Sequence, residues 1–150
     1  VPDSAEIQGT VRTFTVEMLD LIERRMNEIA QHTAAAFGAT VEFEFRRNYP
    51  PTINHKAEVD VLREVMHEVV GADNTFTFEP TMGAEDFSYF LQQVPGAYFV
   101  IGNGDGDHRA AGHGMGPCTL HNPNYDFNDE LIGPGGSLWV HLVERFLAKT

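Results

Sequence analysis

Apolar residues recur at spacings of three and four between residues 19 and 37, which is the period of one face of an α-helix. Thr15 stands before this segment as a suitable N-cap, and Gly38 follows it where a C′ glycine can close the helix. The spacing therefore predicts one long amphipathic helix with an apolar face. That face comprises Leu19, Ile22, Met26, Ile29, Thr33 and Phe37.

The segments on either side of this helix, residues 5–14 and 40–47, alternate between apolar and polar side chains. In the second segment, Val41, Phe43 and Phe45 fall on one face, as is typical of a half-buried strand. Strand, helix and strand together predict half of a ferredoxin-like α+β sandwich.

The adjacent Pro50 and Pro51 divide the chain, because proline can continue neither a strand ladder nor a helix interior. We therefore expect two domains, residues 1–53 and residues 54–150. The second is predicted to be α/β, a mixed sheet with flanking helices. Two strands are expected, at 75–80 and at 97–102, and the second should be buried on both faces. Three helices are expected: one that ends at Gly71, one in the segment 87–94, and one that starts near Pro134. Their apolar residues are, in the same order, Leu62, Val65, Met66 and Val69; Phe87, Phe90, Leu91 and Val94; and Leu138, Leu142, Phe146 and Trp139, of which the last four should be buried.

The chain carries a formal net charge of −12 at pH 7, and Cys118 is its only cysteine. Binding to nucleic acid or to an anionic membrane surface relies on clustered Lys and Arg, so we expect neither partner. A lone cysteine leaves no internal disulfide, and no apolar run approaches the roughly 20 residues of a membrane span. These features predict a cytoplasmic protein. The first residues, "VPDSAEIQGT", lack a methionine and suggest a fragment or a processed product.

The segment "TMGAEDFSYF" (81–90) follows a predicted strand and opens a predicted helix. Glu85 and Asp86 are expected in the first turn of that helix, where its dipole favours carboxylates, and this alone can explain them. Alternatively, a loop at the carboxyl end of a strand faces a ligand crevice. In that case Gly83 would let the backbone approach a ligand, which Glu85 and Asp86 would hold.

His121 stands before a polar turn in "PCTLHNPNYDFNDELIGPGG" (117–136). It is either a solvated loop residue or one ligand of a metal ion, and no neighbouring residue supplies the remaining ligands. His108 and His113, in the glycine-rich stretch before it, are interpreted as solvated. No helix start follows that stretch directly, so it does not match a phosphate-binding loop.

Five segments occur in an order that resembles one family of enzymes. They are "SAEIQGTVRTF" with the long helix after it, "EFEFRRNYPPTIN", "MGAEDFSYFLQQVPGAYFVIGNG" and "LHNPNYDFNDELIGPGG". Together they resemble the C-terminal half of the di-metal amidohydrolases, which include hippurate hydrolases, N-acyl-amino-acid hydrolases and auxin-conjugate hydrolases. Aminoacylases and carboxypeptidases are similar to this family.

The resemblance implies a catalytic α/β domain interrupted by a lid domain that also dimerises. Residues 1–53 would be the later half of the lid, and residues 54–150 the C-terminal part of the catalytic domain. His121 matches the last metal ligand of the family, in an "H-x-P/S-x-F/Y" segment. The segment with Gly83, Glu85 and Asp86 would lie beside the active site. The implied cofactors are two divalent ions of Zn, Mn, Ni or Co, and the implied substrate is an N-acyl amino acid.

The family's other metal ligands and its general base belong to segments that this chain does not contain, and Cys118 matches none of them. We therefore expect the chain to be inactive alone. The alternative is a non-catalytic dimerisation or binding module derived from the lid. Arg12 is interpreted as a solvated charge or a partner of Glu42 or Glu44, although a lid arginine could bind the substrate carboxylate. Exposed apolar surface also predicts association of the isolated chain.

Overall fold

The structure is a computed structural model that describes residues 2–104, 120–123 and 125–147. The chain forms two compact units, Val1–Asn54 with Phe78–Gly96, and His55–Thr77 with Ala97–Thr150. The helices are α1 (Val16–Ala36), α2 (Lys56–Val70), α3 (Phe87–Leu91) and α4 (Ile132–Phe146), with two 3₁₀ helices at Ala72–Asn74 and Asp129–Leu131.

The predicted α/β fold class is wrong, because the described residues contain helices and no strand. The same finding overturns the mixed sheet with flanking helices and the half ferredoxin-like sandwich. An alternating pattern decides which side chains share a face, but a strand also needs a hydrogen-bonded neighbour. The four segments predicted as strands (5–14, 40–47, 75–80 and 97–102) form no such ladder within the described residues.

Both predicted ends of α1 are confirmed. The Thr15 side chain accepts a hydrogen bond from the Met18 amide at 3.2 Å, as an N-cap does. At the other end, Gly38 has a φ of 67° and its amide donates to the Ala35 carbonyl at 3.1 Å. The next amide, of Ala39, donates to the Ala34 carbonyl at 2.9 Å, which completes a Schellman motif.

The segment 40–47 lies along α1. The Gln31 side-chain amide donates to the Val41 carbonyl at 3.4 Å, and Arg47 pairs with Asp20 at 2.7 Å and also with Glu23. The predicted faces of this segment persist without a sheet, because its apolar residues are half-buried and its charged ones exposed. Even so, none of the 21 residues of α1 is buried, and Phe37 is 85% exposed.

The core of the second unit lies between α2 and α4. It consists of Leu62, Val65, Leu138 and Leu142, with Val65 fully buried. Met66, Val69, Ala97 and Phe99 pack against this cluster. The predicted inner face of α2 and its end at Gly71 are therefore confirmed.

Three predictions of burial in this region are wrong. Phe146 is 59% exposed, because each four-residue step turns about 40° further around a helix, which carries residue 146 well away from Leu138. Trp139 is equally exposed, although its ring lies 5.6 Å from that of Phe99. The segment 97–102 packs through one face only, so Val100 is 52% exposed.

The other helices also differ in detail. α4 begins at Ile132, two residues before the predicted start, and α3 ends at Leu91, before Val94. No helix in the described part of the chain is both long and apolar enough to cross a membrane.

Candidate functional site

His121 has a left-handed backbone, with a φ of 73°, and its side chain is exposed. Histidine is among the non-glycine residues that tolerate this region best, with asparagine and aspartate. Immediately after it, the Tyr125 amide donates to the Asn122 carbonyl at 3.0 Å and closes a turn. Pro123 occupies the second position of this turn, which suits its fixed φ. His121 therefore stands at the entrance to a tight turn, with its imidazole accessible.

Asn103 holds the chain just beyond that turn. Its side-chain NH₂ group donates to the Asp126 carbonyl at 2.8 Å, and its side-chain oxygen accepts from the Asn128 amide at 2.9 Å. One side-chain amide thus binds the backbone on both sides of Phe127, at the Asp126 carbonyl and at the Asn128 amide. Sequence reasoning missed this residue. The available signal was a polar side chain at the end of the apolar run "AYFVIG".

Asn128 carries the same loop into α4. Its side-chain oxygen accepts from the Glu130 amide at 3.1 Å, and its carbonyl accepts from the Leu131 amide at 3.0 Å. These bonds cap the 3₁₀ helix Asp129–Leu131, which runs directly into α4. The loop after His121 is therefore fixed to the helix that forms half of the second unit's core.

Glu85 and Asp86 precede α3 instead of lying in its first turn as predicted, since that helix begins at Phe87. Their carbonyls close the first turn. The Glu85 carbonyl accepts from the Ser88 amide at 3.2 Å and from the Ser88 hydroxyl at 2.6 Å, and the Asp86 carbonyl accepts from the Tyr89 amide at 3.0 Å. Asp86 makes no side-chain cap, and both residues are exposed.

Ser88 and Tyr89 anchor α3 within the first unit. Ser88 is 1% exposed, and the Tyr89 hydroxyl donates to the Asn48 carbonyl. The Tyr89 ring also meets that of Tyr49 edge-on, with centroids 5.9 Å apart. These contacts fix the helix whose start carries the two exposed acidic residues.

Gly83 lies in the loop before them and is exposed. A Cβ atom built on it would meet only the Thr81 hydroxyl oxygen, at 3.6 Å, which is an ordinary contact. No steric demand from the described protein therefore requires glycine here.

Arg12 is exposed, in agreement with its interpretation as a solvated charge. Glu44, one of its two predicted alternative partners, instead pairs with Arg46 at 2.6 Å. The hydrogen bond from Arg46, together with its charge, holds the pKa of the Glu44 carboxyl below its usual value. An open surface pocket of about 520 Å³ lies beside α1, and Arg12 is not among its lining residues. Arg47, which does line this pocket, is paired with the carboxylates of Asp20 and Glu23.

The predicted site residues fall in both units. Arg12, Gly83, Glu85 and Asp86 belong to the first unit, and His121 belongs to the second. Across residues 2–104, 120–123 and 125–147, no three His, Cys, Asp or Glu side chains come together in a group able to hold a metal ion. The accessible imidazole of His121 can supply one metal ligand by itself. His108, His113 and Cys118 lie outside the described residues.

Comparison with known proteins places these residues in context. Residues 3–145 match peptidase family M20/M25/M40. The chain is 31% identical to "IAA-amino acid hydrolase ILR1-like 4" from Arabidopsis thaliana, over 99% of its own length and 33% of that protein. It is 30% identical to "Putative amidohydrolase YhaA" from Bacillus subtilis, over 88% of its length and 32% of that protein.

A third relative is "N-acetyldiaminopimelate deacetylase" from Streptococcus thermophilus, at 33% identity over 88% of this chain and 32% of that protein. The chain thus spans about a third of the length of these relatives. No solved structure matches it.

Proposed function

The chain belongs to peptidase family M20/M25/M40, and from this premise we propose that it forms part of a metal-dependent amidohydrolase acting on N-acyl amino acids. Relatives named as an IAA-amino acid hydrolase and an N-acetyldiaminopimelate deacetylase support a substrate of this class, of which hippurate is a simple example. The observation that carries the proposal is the accessible imidazole of His121, held at the entrance to a turn inside the matched region.

In this proposal His121 contributes one ligand to a site for two divalent ions. A neutral imidazole suits several such ions, among them Zn²⁺, Mn²⁺, Ni²⁺ and Co²⁺. When bound, the ions lower the pKa of a water molecule and polarise the amide carbonyl. In this role His121 would bind a metal ion and fix its position, and it would move no proton itself. The general base that takes the proton from water is assigned to family segments outside this chain.

We propose that Gly83, Glu85 and Asp86 contact the substrate. The open space beside Gly83 allows a ligand to approach the backbone, and the exposed carboxylates of Glu85 and Asp86 are available to accept hydrogen bonds from it. Arg12 is the weaker candidate. Its guanidinium could pair with a substrate carboxylate, but an exposed arginine needs no such role.

We propose that the chain is inactive alone, since one imidazole cannot bind a pair of ions. A purified sample of the 150-residue chain should not hydrolyse an N-acetyl amino acid in the presence of Zn²⁺, Mn²⁺, Ni²⁺ or Co²⁺. Hydrolysis above the level of the His121→Ala variant would contradict this part of the proposal.

The role of His121 as a ligand is tested separately. Ni²⁺, which is paramagnetic and favoured by imidazole, should broaden the His121 side-chain NMR signals, because this imidazole is accessible. His32, an exposed histidine on α1, shows the broadening expected of any accessible imidazole. His121 signals that stay sharp at a Ni²⁺ concentration that broadens those of His32 would argue against a ligand role for His121.

A homodimer formed through the lid-like first unit is the proposed assembly, and a purely dimerising module is the second candidate function. The supporting observation is α1, which buries none of its residues and leaves Ile29 56% exposed. Sedimentation should give a mass above the 16.7 kDa of one chain, and Ile29→Glu should lower it. The matched control is Asn27→Glu, a charge added at another exposed position of the same helix. A dilute monomer before substitution would refute the dimer.

A further inference from the structure

We propose that Asn103 is a positioning residue for His121. The inference rests on the proposed function, in which the His121 imidazole is a metal ligand. Asn103 does not act on the metal or on the substrate. It fixes the backbone that leaves the turn after His121, so that the histidine keeps its orientation.

The two hydrogen bonds of the Asn103 side chain, to Asp126 and to Asn128, form a clamp on the backbone around Phe127. The side-chain NH₂ group of Asn103 donates to the Asp126 carbonyl at 2.8 Å, and its side-chain oxygen accepts from the Asn128 amide at 2.9 Å. The bond from the Asn128 amide is part-buried, so water competes less for it than it would at the surface. A carboxamide carries an N–H donor and a carbonyl acceptor on one planar group, and glutamine, the other carboxamide, is one methylene longer.

The backbone of His121 is strained. A φ of 73° at a residue with a Cβ costs free energy and persists only where the surrounding structure determines it. The Tyr125–Asn122 hydrogen bond closes the turn directly after His121, and the clamp begins one residue after Tyr125. Asn103 thereby holds the far side of the turn whose near side is the strained histidine.

The clamp is anchored on the core of the second unit. Asn103 follows the segment that packs Ala97 and Phe99 on the α2–α4 core, and Asn128 caps the 3₁₀ helix that leads into α4. The loop after His121 is therefore tied to the core of the second unit from two directions. A loop residue that has to present a ligand gains orientation from such a rigid support.

The test measures hydrogen exchange of two backbone amides in the full chain. Asn103→Ala should speed exchange of the Asn128 amide about three- to tenfold, since its acceptor is lost. The Tyr125 amide keeps its own acceptor, and its exchange should also rise about threefold because the turn loosens. Asn103→Asp is the conservative variant. It retains an acceptor for Asn128 and should leave that amide close to its original rate.

The readout that separates positioning from general support is a double-mutant cycle with His121→Gly, which removes the left-handed strain. In the His121→Gly background, Asn103→Ala should speed Tyr125 exchange less than twofold. In a control background, the exposed Arg63→Ala on α2, the full rise should remain.

Three results would overturn the inference. These are an unchanged Asn128 amide in Asn103→Ala, a Tyr125 amide that does not respond, and an equal Tyr125 response with and without His121→Gly. If Asn103→Ala does not fold, Asn103→Asp carries the test, because its carboxylate cannot donate to the Asp126 carbonyl. This variant should also speed Tyr125 exchange, and that response should shrink in the His121→Gly background. The proposed function fails on a different measurement, the Ni²⁺ broadening of His121, so the two failures are distinguishable.

Discussion

α1 and the α2–α4 pair each carry an apolar stripe, yet only the pair has a buried core. Leu62, Val65, Leu138 and Leu142 exclude water from one another, whereas no residue of α1 is buried. α1 is instead held by its caps and by ion pairs such as that between Arg47 and Asp20. Burial of apolar surface stabilises more than exposed ion pairs do, so the two units should respond very differently to truncation of the same side-chain type.

The largest expected effect is in the α2–α4 core. Leu138→Ala should lower the free energy of unfolding by about 2–5 kcal/mol, because it removes buried methyl groups and leaves a cavity. The matched control is Ile29→Ala on α1, whose side chain is 56% exposed within one chain, so the loss of contacts inside that chain should cost less than about 1 kcal/mol. Urea unfolding followed by circular dichroism measures both. A loss at Ile29 as large as that at Leu138 would mean that a partner covers the α1 face, as in the proposed dimer.

An intermediate effect is expected at the end of α1. Gly38→Ala should cost about 1 kcal/mol, because it places a Cβ on a backbone with a φ of 67°. Gly83→Ala is the control, since Gly83 lacks a positive φ and a Cβ there meets only Thr81 at 3.6 Å. That variant should unfold within about 0.5 kcal/mol of the unsubstituted chain. Equal costs for the two variants would show that the Schellman motif contributes nothing specific.

The same contrast explains which parts of the fold the sequence could predict. The ends of α1, at Thr15 and Gly38, depend on hydrogen bonds within a few residues, and both predictions are confirmed. The inner face of α2 follows from its own period, and Leu62 and Val65 are buried as expected. Strands depend on a second segment elsewhere in the chain. The alternation at 40–47 fixed its faces, with Val41 half-buried and Glu42 exposed, but carried no information about a partner.

The residues of the candidate site also differ in whether the sequence could predict them. The resemblance of "LHNPNYDF" to a family motif singles out His121 from the sequence alone, and its role as a ligand stays a prediction. The clamp could not be found in that way, because Asn103 and Asp126 are 23 residues apart and the bond joins a side chain to a backbone carbonyl. Backbone acceptors have no residue type, so sequence gives no sign of which carbonyl an asparagine will bind.

The smallest expected effect concerns Glu44 and Arg46, both on the exposed face beside α1. The hydrogen bond and charge of Arg46 lower the pKa of the Glu44 carboxyl in the folded chain relative to the unfolded one. Because the folded pKa is the lower of the two, the pair stabilises the fold above the unfolded pKa of Glu44, and this contribution is lost as the pH falls through the folded pKa.

Arg46→Gln should therefore raise the pKa of Glu44 in an NMR titration of its side-chain carboxyl. Both side chains are exposed to solvent, so the gain in stability should be small and reduced further by salt. Arg46→Lys keeps the charge but loses the paired donors of the guanidinium, and its Glu44 pKa should lie between the other two. A Glu44 pKa that does not change in Arg46→Gln would mean that the pair does not form in solution, while Gln31 and Arg47 would still join the segment 40–47 to α1.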